Sequence, residues 1–170
     1  MDQDSMMIPP RRRARFATLQ ALYALMLSGD SSPYVFITTL KPRLPAQEGA
    51  KKMGVDLFEK VVSQQDVLDE IISENTKNWD VDRILRIDLI ILRMAVCEFL
   101  HFDQIPPKVT MNEAIDLAKV FSTEESKDFI NGVLDSIAFK LRRQGRLTKT
   151  GGGLQGWEEM VKRQDFHFTE

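Results

Sequence analysis

Cysteine occurs once in the 170 residues and histidine twice. A lone Cys97 excludes an internal disulfide and a paired-cysteine metal clip. It lies in an apolar stretch, where a small buried hydrophobe is its ordinary role. His101 and His167 stand 66 positions apart, so no histidine metal site or catalytic triad suggests itself. No apolar run approaches about eighteen residues without a charge, so nothing reads as a membrane span. The basic residues near the start are not followed by the apolar core of a secretory signal. A cytoplasmic location is the expectation. Net charge is also scarce, at −2. The whole molecule is no polycation, and any nucleic-acid binding must come from a local basic cluster.

Such a cluster is present. Arg11-Arg12-Arg13-Ala14-Arg15 follows Pro9-Pro10 directly and heads a helix expected over 10–28. Phe16, Leu19, Tyr23, Met26 and Leu27 recur at steps of three and four and predict its inner face. Proline is tolerated in a first helical turn, where its missing N–H has no partner anyway. Cations there are mildly unfavourable, because the N-terminus carries partial positive charge. Arginines placed against helix stability point to another task. Guanidinium forks and exposed N–H groups facing one way form an anion site. The plainer alternative is a solvated charge run.

The remaining chain is helical in period. Gly29-Asp30-Ser31-Ser32-Pro33 is a turn cluster. A short helix is expected from Pro33 to Leu40, although Val35 to Thr39 would suit a strand by propensity. Lys41 to Pro45 is a loop. Residues 47–76 form one helix or two, broken near Gln64. A turn is expected at Asn78-Trp79-Asp80 and a helical turn over Val81 to Leu85. Residues 88–102 are apolar around almost the whole circumference, which belongs in the centre of a bundle. Glu98 interrupts that helix and needs a partner if buried. A helix over 107–120 follows, then Ser122 and Glu125 at capping-box spacing, and a last apolar-striped helix to Leu141. Gly132 within it reads as a close-packing position. The expected division is an N-terminal helical subdomain over 1–80, a C-terminal one over 81–142 and, from its composition, a flexible tail over 143–170. Residues 1–8 are expected to be loose.

Gly151, Gly153 and Gly156 satisfy the letters of a dinucleotide fingerprint, but no strand precedes them and no acidic residue follows at the needed distance. They read as a linker. Nothing assembles a nucleophile, a base and an oxyanion site, so an enzyme is not expected, nor a metal or cofactor.

Four stretches in order resemble the NusB family of transcription antitermination factors. They are Arg11 to Arg15 with Gln20-Ala21-Leu22-Tyr23; Ile87-Asp88 leading to Ile91-Leu92-Arg93-Met94-Ala95 and Glu98-Phe99; Ile105-Pro106 and Val109 with Asn112-Glu113-Ala114-Ile115 and Leu117-Ala118-Lys119; and Phe129 to Asp135. The resemblance implies an all-α fold of two packed helical bundles, about seven helices, without a catalytic site. It implies binding to the boxA element of ribosomal RNA leaders, together with the small-subunit ribosomal protein NusE. That pair joins NusA, NusG and RNA polymerase.

By the same resemblance Arg11, Arg12, Arg13 and Arg15 match the family's arginine-rich motif. Lys119, Phe121, Glu125 and Phe129 lie where family members also approach RNA, although both phenylalanines could equally pack in the core. Asp88 matches a carboxylate turned toward NusE, with Tyr23 and Glu113 as helpers; its alternative role is a helix cap. Where relatives have glycine after the residue matching Phe121, this chain has Ser122. Two other classes stay open. One is the NusB-like domain that precedes some RNA cytosine methyltransferases, though no glycine-rich cofactor strand or nucleophilic cysteine is present. The other is a helical scaffold whose arginines are solvated.

Overall fold

The computed structural model describes residues 8–76 and 81–168. Among them are eight α-helices and no strand: α1 Pro10–Ser28, α2 Ser32–Val35, α3 Glu48–Ser63, α4 Gln65–Glu74, α5 Arg86–His101, α6 Pro107–Phe121, α7 Glu124–Arg143 and α8 Trp157–Phe168. The expected turn at 78–80 and seven of the eight residues expected to be loose lie outside the described residues. The chain forms two compact units, Met1–Gln65 and Asp66–Glu170, so the division falls at the α3/α4 break and not near residue 80. The reason is that α4 buries Leu68, Ile71 and Ile72 and pairs with α5 through Asp69. Arg93 donates twice to Asp69, at 2.7 and 2.8 Å. Ser136 of α7 donates to Asn75, just past the end of α4, at 3.1 Å.

In the first unit α1 packs on α3. It starts at Pro10 and stops at Gly29, whose φ of 70° is open to glycine without strain. Its buried residues are Ala14, Arg15, Ala17, Thr18, Leu19, Ala21 and Leu22. This differs from the large apolar face expected from periodicity. Tyr23 is 38% and Leu27 50% exposed, and Phe16 and Met26 are only half-buried. The small residues win because they let the helices touch by backbone. The Thr18 hydroxyl donates to the Gly54 carbonyl at 3.1 Å, and a Cβ on Gly54 would lie 3.3 Å from that of Ala14. Residues 33–40 are helical and not extended: α2 runs into a π-turn over Phe36–Leu40 and a 3₁₀ turn over Lys41–Arg43.

In the second unit every residue of α5 from Asp88 to Phe99 is buried, and α5 packs on α6 and α7. Glu98 is satisfied there, its Oε2 accepting from the Thr110 hydroxyl at 2.8 Å. Gly132 is exposed and nothing would meet its Cβ, so it is not a close-packing position. Gly54 and Gly153 have that role instead.

The segment after Leu141 is docked, which corrects the flexible tail expected from its composition. Lys149 places its ammonium on the carbonyls of Glu98 and Phe102, at 3.1 and 2.9 Å, and so caps the negative end of α5. Thr150 N–H donates to the Asp103 carbonyl at 3.0 Å. Helix α8 lies on α7 through polar contacts. Arg163 forks onto Asp135 at 2.7 and 3.1 Å, and Arg142 pairs with Asp165. Gln164, at 0% exposure, also reaches Asp135. Phe168 stacks on Phe139 with centroids 4.8 Å apart.

Two outcomes follow from this docking. A Cβ on Gly153 would sit 1.9 Å from the Asp103 carbonyl oxygen, a backbone atom that cannot step aside. Gly153→Ala should therefore detach the segment, seen as faster amide exchange in α8 while α5 keeps its protection. Unchanged exchange in α8 would mean the contact is dispensable. The second outcome concerns pH. Burial lowers the Lys149 ammonium from 10.5 to about 8, against the pull of Glu98 and Asp103. Between those values the unfolded chain holds a proton that the folded chain has released, so Lys149 adds stability as pH rises from about 8 to about 10.5. That gain disappears as pH falls through 8. Denaturant melts of the parent protein and Lys149→Met should diverge in the parent's favour across this window. A constant difference would place the ammonium in water.

Candidate nucleic-acid interface

The arginine run occupies the first turn and a half of α1, and its local chemistry is one-sided. The N-cap residue is Pro9, no side chain caps the helix, and the first turn holds no acid. The four arginines then separate by burial. Arg11 is exposed, and Arg12 and Arg13 are half-buried. Arg15 is 3% exposed. Arg12 and Arg15 are engaged in interactions within the protein. Arg11 and Arg13 have no side-chain partner among the described residues. The expected group of four surface arginines is therefore an outer set, Arg11 to Arg13, and one internal cation. Burial sets Arg15 apart from the three arginines that reach the surface.

In the second unit Lys119 is exposed near the end of α6, 3.5 Å from Asp116, and Phe121 is half-buried. Glu125 and Phe129 stand one turn apart on α7. They line a groove of about 220 Å³ with Arg83, Ile84, Leu85, Asp88, Thr123 and Ser126. Glu125 is at its exposed rim and Phe129 is half-buried.

Asp88 belongs to this groove in an unexpected way. It is the third residue of α5 and 3% exposed. Its Oδ1 accepts from the Ser122 hydroxyl and its Oδ2 from the Ser126 hydroxyl at 2.7 Å. The cap of α7 is Thr123, whose hydroxyl oxygen accepts from the Ser126 N–H at 3.3 Å; Ser122, expected as that cap, turns to Asp88 instead. Asp88 is consequently not the cap of α5, which is Leu85, and its carboxylate does not face outward. It fixes the α6–α7 turn, which leads into the start of α7 with Glu125 and Phe129. The other two residues named for a partner surface are Glu113, half-buried and internally engaged on α6, and Tyr23, exposed on α1.

Among the described residues no group of histidine, cysteine or carboxylates could hold a metal ion, and no helix is long and apolar enough to cross a membrane. The residues missed from sequence are Ser126, Lys149, Asp135 and Arg163, polar groups that carry no periodic signal.

The NusB family model matches residues 12–139. The transcription antitermination protein NusB of Salinibacter ruber is 37% identical over 153 residues, covering 90% of this chain and 96% of that protein. The NusB of T. maritima superposes with a TM-score of 0.70 at 32% identity, over 78% of this chain and 92% of its own. A chain from a crystal structure of the antitermination factors NusB and NusE in complex with double-stranded RNA has the same fold. Its TM-score is 0.69 at 24% identity, over 78% of this chain and 98% of its own.

Proposed function

The chain belongs to the NusB family, and from that premise we propose that it is a cytoplasmic RNA-binding transcription antitermination factor. Its RNA is the boxA element of ribosomal RNA leaders. Its immediate partner is ribosomal protein NusE, and the pair acts with NusA, NusG and RNA polymerase. The family is a non-enzymatic one, and the protein works by holding RNA and partner together. The observation that carries the reading is the head of α1. Arg11 and Arg13 have no side-chain partner among the described residues, and the first turn of their helix holds no acid. An RNA backbone supplies the missing negative charge, and phosphate contacts fix position while base contacts give sequence preference. The solved NusB–NusE pair with RNA supports both partners by fold.

Roles within this reading are unequal. Arg11, Arg12 and Arg13 contact phosphate or base; Arg15 holds the helix in place. Lys119, Phe121, Glu125 and Phe129 also contact RNA, with Asp88 positioning the last two. Tyr23 and Glu113 belong to the NusE side. The test is a titration of labelled boxA RNA into the intact protein, with and without NusE, beside a scrambled RNA. Tighter binding of boxA than of the scramble, enhanced by NusE, is the expected result. Equal, NusE-independent binding of both RNAs, or none, would leave a helical scaffold with solvated arginines.

A further inference from the structure

We propose that the groove walled by α6, α7 and α8 is a pocket for one unpaired nucleotide of the bound RNA, a reading that rests on the RNA-binding function above. The groove measures about 310 Å³, at the small end of ligand sites, which start near about 300 Å³. Its floor is made by Met111 and Met160, both buried. Thioethers are soft and polarizable and pack well against ring faces. Its rim carries Lys108 and Asn112, one turn apart on α6, with Asn131 on α7 and Glu159 on α8. None of these four side chains has a hydrogen-bond or ion-pair partner among the described residues. The remaining wall is rigid by contrast, since Arg163 is forked onto Asp135 and Gln164 beside it is fully buried.

The mixture of groups selects the ligand. A site for a free anion would not hold the Glu159 carboxylate beside Lys108, its one cation without a partner among the described residues. A nucleotide uses all of them. Its phosphate meets the Lys108 ammonium, and the ribose 2′-hydroxyl has an acceptor in Glu159. A carboxamide offers one donor edge and one acceptor edge, which fits the paired donor and acceptor atoms of a base. Asn112 and Asn131 provide two such edges above an apolar floor. Unpaired bases are read in this way, turned out of the strand with one edge hydrogen-bonded and one face stacked. The α8 wall lies beyond residue 139, where the family match ends. The pocket is thus a feature of this chain's docked C-terminal segment.

The test uses the full-length protein labelled with ¹⁵N and titrated separately with the four nucleoside 5′-monophosphates and with inorganic phosphate. The side-chain amide signals of Asn112 and Asn131 should move saturably with at least one monophosphate and stay put with phosphate alone. Both residues are exposed on helices, so Asn112→Ala/Asn131→Ala should fold normally, which a thermal melt verifies. That variant should bind boxA RNA about five- to a hundredfold more weakly, the range for losing one good base contact. Silent amide signals with unchanged RNA affinity would overturn the pocket. So would equal movement with inorganic phosphate, which would make it a simple anion site. If the unsubstituted protein bound no RNA, the antitermination reading would fall by itself, and the monophosphate titration would still decide the groove.

Discussion

Replacing Arg11 and Arg13 together by alanine is expected to weaken RNA binding and flatten its salt dependence without lowering the melting temperature. Each phosphate neutralised on a single strand contributes about −0.7 to the slope of log affinity against log salt, so the pair contributes roughly −1.4. Over a fourfold rise in salt the parent protein should lose about sevenfold more affinity than the double variant. Stability should hold because neither side chain has a partner among the described residues and Arg11 is exposed. Removing cations from a helix N-terminus relieves an unfavourable dipole interaction of about 0.3–1 kcal/mol at most. Arg15→Ala is the contrasting case. Arg15 is buried and engaged, and a hydrogen bond to a charged group is worth about 1.5–3 kcal/mol. Its variant should melt early and, below its transition, keep the parent's salt slope. An unchanged slope in the double variant would make the arginines a solvated face. An RNA-specific defect in folded Arg15→Ala would put that residue back at the surface.

The second large effect is expected at Asp88. Counting hydroxyl protons shows what the carboxylate does. Ser122 and Ser126 each spend their proton on it, so Thr123 is left as the donor to the Ser126 oxygen at 3.0 Å. The Ser122 and Ser126 oxygens also lie 2.9 Å apart, so three hydroxyls gather round one carboxylate. Asp88→Ala strands two hydroxyls in a poorly hydrated turn. Charge-assisted bonds are worth about 1.5–3 kcal/mol each, and the loss here should total about 2–4 kcal/mol. At this chain length that lowers the melting temperature by about 5–15 °C. Asp88→Asn keeps one acceptor and should fall between. Glu125 and Phe129 follow the same turn, so partner or RNA binding should weaken only as far as the turn loosens. A variant that melts like the parent but fails to bind NusE would show that the carboxylate faces the partner directly.

How far the sequence could be read depended on what held each element. The stop of α1 at Gly29 and the start at Pro10 were legible because backbone conformation dictates them. The burial of α5 was legible because apolar residues surround it. The inner face of α1 was not. Periodicity weighs Phe16, Tyr23 and Leu27, whereas contact with α3 is made through Ala14, Thr18 and Gly54, whose value is their small size. The docked C-terminal segment was hidden for a related reason. Arg163, Gln164 and Asp135 hold it by polar contacts with no apolar period, and Gly151-Gly152-Gly153 has a linker's composition although Gly153 is required for close approach to Asp103. For the site, the positions were legible from motif resemblance, but not the direction in which a side chain points. That direction separates Arg15 from Arg11 and sets Asp88 on the Ser122 and Ser126 hydroxyls.

Photochemical cross-linking of boxA RNA to the intact protein with NusE present, followed by mass-spectrometric mapping of the adducts, tests the central claim most directly. Adducts concentrated on the segment containing Arg11, Arg12 and Arg13, and reduced in the Arg11→Ala/Arg13→Ala variant, are the predicted result. Adducts absent from that segment while RNA is fully bound would contradict it.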